Sequence, residues 1–81
     1  MEYKRLLKEN NLTSKELAEV TGLHINTLTK LAKNTYNARL PLDFFLNLKK
    51  EYPYIDLKVY FPEYKELIKL EVDNENNRRL D

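Results

Sequence analysis

Cysteine is absent from this 81-residue chain, and histidine and glycine occur once each. Without cysteine there is neither a disulfide framework nor a thiolate metal site. The single histidine, His24, has no second histidine or cysteine with which to hold a metal, and is read as a helix-start or surface residue. The single glycine, Gly22, leaves no glycine-rich loop to cradle a phosphate. The Asp and Glu residues fall on faces expected to be exposed, with no cleft to raise a carboxylate pKa, so no catalysis, cofactor or metal is expected. No apolar run approaches the ~20 residues of a membrane span. The start, Met1-Glu2-Tyr3-Lys4-Arg5, lacks the apolar stretch of a secretory signal. Cytoplasm is therefore the expected location, and the glycosylation sequon Asn11-Leu12-Thr13 is read as chance.

What is present is one small domain's worth of apolar residues, 42% of the chain, beside 33% charged residues. A domain this size buries only about 60% of its unfolded surface, so its core is modest. The formal charge of +1 hides an asymmetry. Residues 1–50 hold nine Lys or Arg against five Asp or Glu, and residues 51–81 hold five against eight. No acid occurs between Glu19 and Asp43, while Lys30, Lys33 and Arg39 lie in that gap. Such a local positive face attracts phosphates whatever the net charge, although charge runs also occur as plain solvated surface.

The apolar spacing predicts an all-α chain: about five short helices plus a C-terminal one, with residues 1–61 as the main domain and 62–81 as a C-terminal helix and polar tail. Tyr3, Leu6 and Leu7 give residues 2–10 one buried face, and Asn10-Asn11 suits a helix stop. Thr13 and Glu16 have the spacing of a capping box, and Leu12 and Leu17 that of a hydrophobic staple, so a second helix starts at residue 13. Gly22 supplies the φ freedom for a tight stop. In the third helix, residues 25–33, Leu28, Leu31 and Ala32 face inward and Ile25 sits at the boundary. Asn26, Thr29, Lys30 and Lys33 make an outer face without a carboxylate. Residues 35–40 read as a loop. Pro41 suits the start of a fourth helix reaching residue 52, with Leu42, Phe45, Leu46 and Leu48 on its apolar side. Residues 55–60 alternate like a strand, but Asp56 is placed to cap one helical turn, and the short helix is preferred. Pro62 opens a last helix in which Tyr64, Leu67, Ile68 and Val72 share a face. From Asp73 the tail is expected to be disordered.

Two short helices joined by a turn containing Gly22 match the DNA-reading helix-turn-helix unit. Ala18 is small where the helices cross, Gly22 relieves the turn, and Leu28 plugs the space toward the first helix. The stretch Leu12-Thr-Ser-Lys-Glu-Leu-Ala-Glu-Val-Thr-Gly-Leu-His-Ile-Asn-Thr-Leu-Thr-Lys-Leu-Ala-Lys33 resembles the Cro and phage-repressor family of helix-turn-helix regulators. The resemblance implies a compact helical domain whose third helix enters the major groove, in proteins that usually act as dimers on paired half-sites. Departures from the family pattern fall at Ser14, where members often carry a phosphate-anchoring Gln, and at Leu7, where Arg is frequent. His24 stands in place of a Ser or Thr cap, and Asn34 stands near a common Gly, in a turn that Asn is able to adopt.

Within this reading double-stranded DNA is the partner. Asn26 is the candidate for a two-bond contact to adenine, and Lys30 for donation to guanine. Ile25 and the Thr29 methyl are candidates to meet a thymine methyl. Lys33, Ser14, Lys15 and Arg39 are candidate phosphate contacts, with the amides that open the second helix. Tyr52, Tyr54, Tyr60, Phe61 and Tyr64 crowd into the acidic C-terminal third, either to complete the core or to join a homodimer or a protein partner through residues 52–72. The function read from the sequence is a DNA-binding regulator, a repressor on paired half-sites. Two alternatives are carried with it. One is a protein-interaction module, such as an antitoxin or phage factor, working through the C-terminal third. The other is an excisionase or MerR-like winged helix, which requires a strand at 55–61.

Overall fold

The computed structural model describes residues 1–35 and 38–73. Five helices come first: α1 (Tyr3–Glu9), α2 (Ser14–Thr21), α3 (Ile25–Ala32), α4 (Leu42–Glu51) and α5 (Leu57–Tyr60). A last helical segment follows, with a 3-10 turn at Pro62–Tyr64, α6 (Lys65–Leu67) and a π-helical stretch at Ile68–Asp73. No strand occurs among the described residues.

Each of the first junctions is set by local chemistry. Helix α1 stops because Asn11 takes a left-handed φ of 55°, tolerable for Asn. The Asn11 N–H then bonds the Lys8 carbonyl and the Leu12 N–H the Leu7 carbonyl, which closes the helix end in a Schellman turn. Helix α2 starts with the expected capping box. The Glu16 N–H donates to Thr13 Oγ1 at 3.2 Å, and the Thr13 N–H donates to the Glu16 carboxylate at 3.1 Å. Gly22, at φ 78°, ends α2 as foreseen. The next turn is held by Thr21, whose buried hydroxyl donates to the Leu17 carbonyl at 2.6 Å and accepts from the Leu23 N–H at 3.3 Å. His24 opens α3 as its N-cap, with Nδ1 accepting from the Asn26 N–H at 3.1 Å. Asn34 adopts φ 57° and, with Thr35 bonded back to the Lys30 carbonyl, closes α3 in a second Schellman turn.

The remaining junctions follow the same logic, with two adjustments. Pro41 stands just outside α4 as its N-cap rather than in its first turn. Asp56 caps α5 by accepting from the Lys58 N–H at 3.3 Å, so the short helix prevails over the alternating pattern. The winged-helix alternative therefore lacks its strand. The described part of the 35–40 loop is non-helical, and residues 36–37 of it lie outside the described residues. Asp73, where the polar tail was expected to begin, still belongs to the π-helical stretch. Residues 74–81, the rest of that tail, also lie outside the described residues.

One continuous core is built from Tyr3, Leu6, Leu17, Leu28, Leu31, the fourth and fifth helices, and the last segment. Its centre is aromatic. Phe44, Phe45 and Phe61 meet edge to face in a triangle with centroid distances of 5.2, 5.7 and 5.3 Å, and Tyr64 leans on Phe45 at 5.0 Å. Such geometry aligns ring edges with ring faces and adds to the area buried. Phe44 is fully buried although its spacing did not place it on the apolar side of α4. The segment 62–73 returns Tyr64, Ile68 and Val72 to the same core. Tyr60, Phe61, Tyr64 and Ile68 thus belong to the chain's own core, with Leu67 half-buried against it.

Candidate nucleic-acid interface

Helix α3 is held on three sides before its outer face does anything. Leu28 and Leu31 anchor it in the core, packed against α1 and α2. The Thr21–Gly22–Leu23 turn fixes its start, and the Asn34 turn fixes its end. A helix that places side chains on a ligand needs this rigidity, because loose geometry wastes binding energy on ordering.

Five of the eight sequence-derived site residues lie on this outer face. Ile25 is 39% exposed at its edge, and Asn26, Thr29, Lys30 and Lys33 are exposed. Among the described residues, the Asn26 amide has no hydrogen-bond partner and neither lysine has an ion pair. The Thr29 hydroxyl donates to the Ile25 carbonyl at 3.0 Å, which commits its proton to the helix backbone. No carboxylate stands on α3 or in the turns at either end of it. Helix α1 is the contrast. There Arg5 bridges Glu2 at 2.6 Å and Glu9 at 2.8 Å, so its guanidinium is already paired.

The other three residues lie elsewhere. Ser14 and Lys15 form the first turn of α2, beside the amide N–H groups that the helix leaves unpaired. Lys15 is exposed. Ser14 is half-buried, and its Oγ lies 2.8 Å from the Tyr3 hydroxyl, which burial pushes above the ordinary phenol pKa. Arg39 sits in the loop after α3, exposed, with its guanidinium 5.5 Å from the centre of the Tyr64 ring.

Two contributors were not legible in the sequence. Tyr3 looks like one more core aromatic, and nothing in its spacing announces a bond to Ser14. Tyr64 reads as core as well, yet its hydroxyl accepts from the Leu40 N–H at 3.0 Å while its ring lies under Arg39. A basic residue followed by a buried apolar one at the end of a loop was the only available signal, and it names no partner.

The aromatic group is divided. Tyr54 is 69% exposed and Tyr52 half-buried beside it, whereas Tyr60, Phe61 and Tyr64 are buried. No helix among the described residues is long and apolar enough to cross a membrane. No group of His, Cys, Asp and Glu among them is arranged to hold a metal ion.

Comparison with known proteins agrees with this geometry. Neither a curated protein nor a solved structure matches the chain. The family model of the Cro/C1-type helix-turn-helix DNA-binding domain matches residues 4–43, from α1 into the first turn of α4. That match takes in the whole α2–turn–α3 unit and its carboxylate-free outer face, and residues 4–43 form a Cro/C1-type helix-turn-helix DNA-binding domain.

Proposed function

We propose that this protein is a sequence-specific repressor that binds paired half-sites in duplex DNA and reads each through the outer face of α3. The observation that carries the reading is that face: exposed, rigidly held, free of carboxylate, with the Asn26 amide and the Lys30 ammonium uncommitted among the described residues. In the major groove Asn26 pairs with adenine N6 and N7, and Lys30 donates to guanine O6 or N7. Ile25 and the Thr29 methyl meet a thymine methyl, since the Thr29 hydroxyl proton already serves the Ile25 carbonyl. Lys33, Lys15 and Arg39 contact phosphates on either side. Ser14 adds a shorter reach, from a hydroxyl steadied by Tyr3.

Paired sites follow from size. A short recognition helix covers few base pairs, and useful affinity requires two half-sites about one turn, ~34 Å, apart. With Leu67 half-buried and Ile68 buried, a joining surface within residues 52–72 draws on Tyr54, Val59 and Leu70, which remain exposed. Residues 62–73 share the core and act as part of the same domain.

The test is selection of the purified protein on a random-sequence duplex library. Enrichment of one inverted repeat with half-site centres about 10 base pairs apart is expected. Recovery of no common sequence, with retention of all duplexes alike, would refute sequence reading by α3.

A further inference from the structure

The family match ends at residue 43, yet a side chain well beyond it touches the loop that follows α3 in two ways. The Tyr64 hydroxyl accepts from the Leu40 N–H at 3.0 Å, and this contact is buried. The face of the same ring lies under the Arg39 guanidinium, 5.5 Å from centroid to Cζ. Tyr64 is itself fixed, 8% exposed and tilted against Phe45. Its neighbour Glu63 lies beside Leu31 and Asn34 around a small surface hollow, which places this part of the chain at the C-terminal end of α3.

We propose that Tyr64 is a positioning residue for DNA binding: it holds the loop after α3 so that the Arg39 guanidinium is presented to a phosphate without being ordered afresh. The proposal rests on Arg39 being a phosphate contact. The two parts of the side chain do different work. The hydroxyl fixes the backbone at Leu40, next to the guanidinium's own residue. The ring face attracts the cation and leaves the edges of the planar group, with their N–H donors, open to an anion. An exposed arginine on an unpinned loop would lose side-chain and loop entropy on binding, and restraint in the free protein removes that cost. The C-terminal segment would thereby contribute to DNA affinity from inside the monomer.

The experiment measures binding of the full chain to a mixed-sequence duplex of 24 base pairs at several salt concentrations. The variants are Arg39→Ala, Tyr64→Phe and the double variant. Arg39→Ala is expected to reduce the salt slope by about 0.9, the value for one phosphate contact. Tyr64→Phe keeps the ring and the packing but loses the acceptor for Leu40. It is expected to weaken binding roughly three- to ten-fold, the cost of ordering the freed loop and side chain on binding, with the slope retained. In the Arg39→Ala background the same change is expected to cost nothing, because Tyr64 acts through Arg39. Equal losses in the two backgrounds, or no loss in either, would overturn the positioning role while leaving Arg39 at the interface. An unchanged slope for Arg39→Ala would instead remove Arg39 from the phosphate contacts and end this proposal with it.

Discussion

Replacing Gly22 tests whether the turn between α2 and α3 is specified by backbone conformation or by packing. Gly22 has φ 78°, and a Cβ built there meets nothing within 4 Å. A substitution therefore has no clash to relieve, and its whole cost is the left-handed backbone. For an L residue that conformation costs roughly 1–2 kcal/mol. A domain of this size loses about 4–8 °C in Tm per kcal/mol, so Gly22→Ala is expected to melt about 4–16 °C below the parent. Gly22→Val should fall further, since a β-branched residue at positive φ is a severe outlier. Gly22→Asn should retain most of the stability, because Asn11 and Asn34 already hold φ 55° and 57° in this chain. The assay is thermal unfolding followed by circular dichroism, with the three variants compared under one buffer. The order Asn, Ala, Val from mildest to worst supports the argument. Gly22→Ala melting with the parent, or Gly22→Asn falling as far as Gly22→Ala, would refute it.

Three further outcomes are expected. Thr13→Ala should cost about 1 kcal/mol in chemical denaturation, and combining it with Glu16→Ala should cost less than the two single losses added, because the capping box is reciprocal. Phe61→Ala should cost about 3–5 kcal/mol, since the ring meets both Phe44 and Phe45 edge to face; a loss under about 1 kcal/mol would mean those contacts carry little. The Tyr60 hydroxyl, above all, and then the Arg5 guanidinium hold the Glu9 carboxyl below its ordinary value of 4.5. A depressed carboxylate lends stability that is complete above its unfolded pKa and is lost as pH falls through the folded one. Tyr60→Phe should therefore flatten part of the loss of Tm on acidification below about pH 4.5, whereas parallel curves would show that the contact contributes nothing.

The helix-turn-helix was legible because its signals are local. Thr13 and Glu16 stand three apart and close a box, Gly22 stands alone where a left-handed stop is needed, and Asp56 sits one residue before the helix it caps. Each is decided by side-chain chemistry within one turn, and each appears where the spacing put it. The core face of α4 was less legible. Phe44 and Phe45 are adjacent and both are buried, because Phe61 and the last helical segment cover α4 on a second side that periodicity does not reveal. The aromatic run at 52–64 had two open uses, and the geometry divides it: Tyr60, Phe61 and Tyr64 fill the core, while Tyr54 stays in solvent. The outer face of α3 was visible as a carboxylate-free wheel. The contacts of the other candidate residues were not, since Tyr3 reaches Ser14 and Tyr64 reaches Leu40 and Arg39 across distances in sequence that no spacing rule covers.

The central claim, that α3 reads bases while neighbouring cations hold the backbone, is tested most directly by Asn26→Ala and Lys33→Ala on a selected duplex and on a scrambled one. Asn26 lies in the first turn of α3 and Lys33 at its C-cap, so the two separate base reading from phosphate contact. The measurement is the dissociation constant across a salt titration for both variants and both duplexes. Asn26→Ala is expected to lose about 1–3 kcal/mol on the selected site alone, with preference relaxed at one position. Lys33→Ala should weaken both duplexes alike and lower the salt slope by about 0.9. If both variants bound both duplexes as the parent does, the outer face of α3 would be ordinary solvated surface and the account would be wrong.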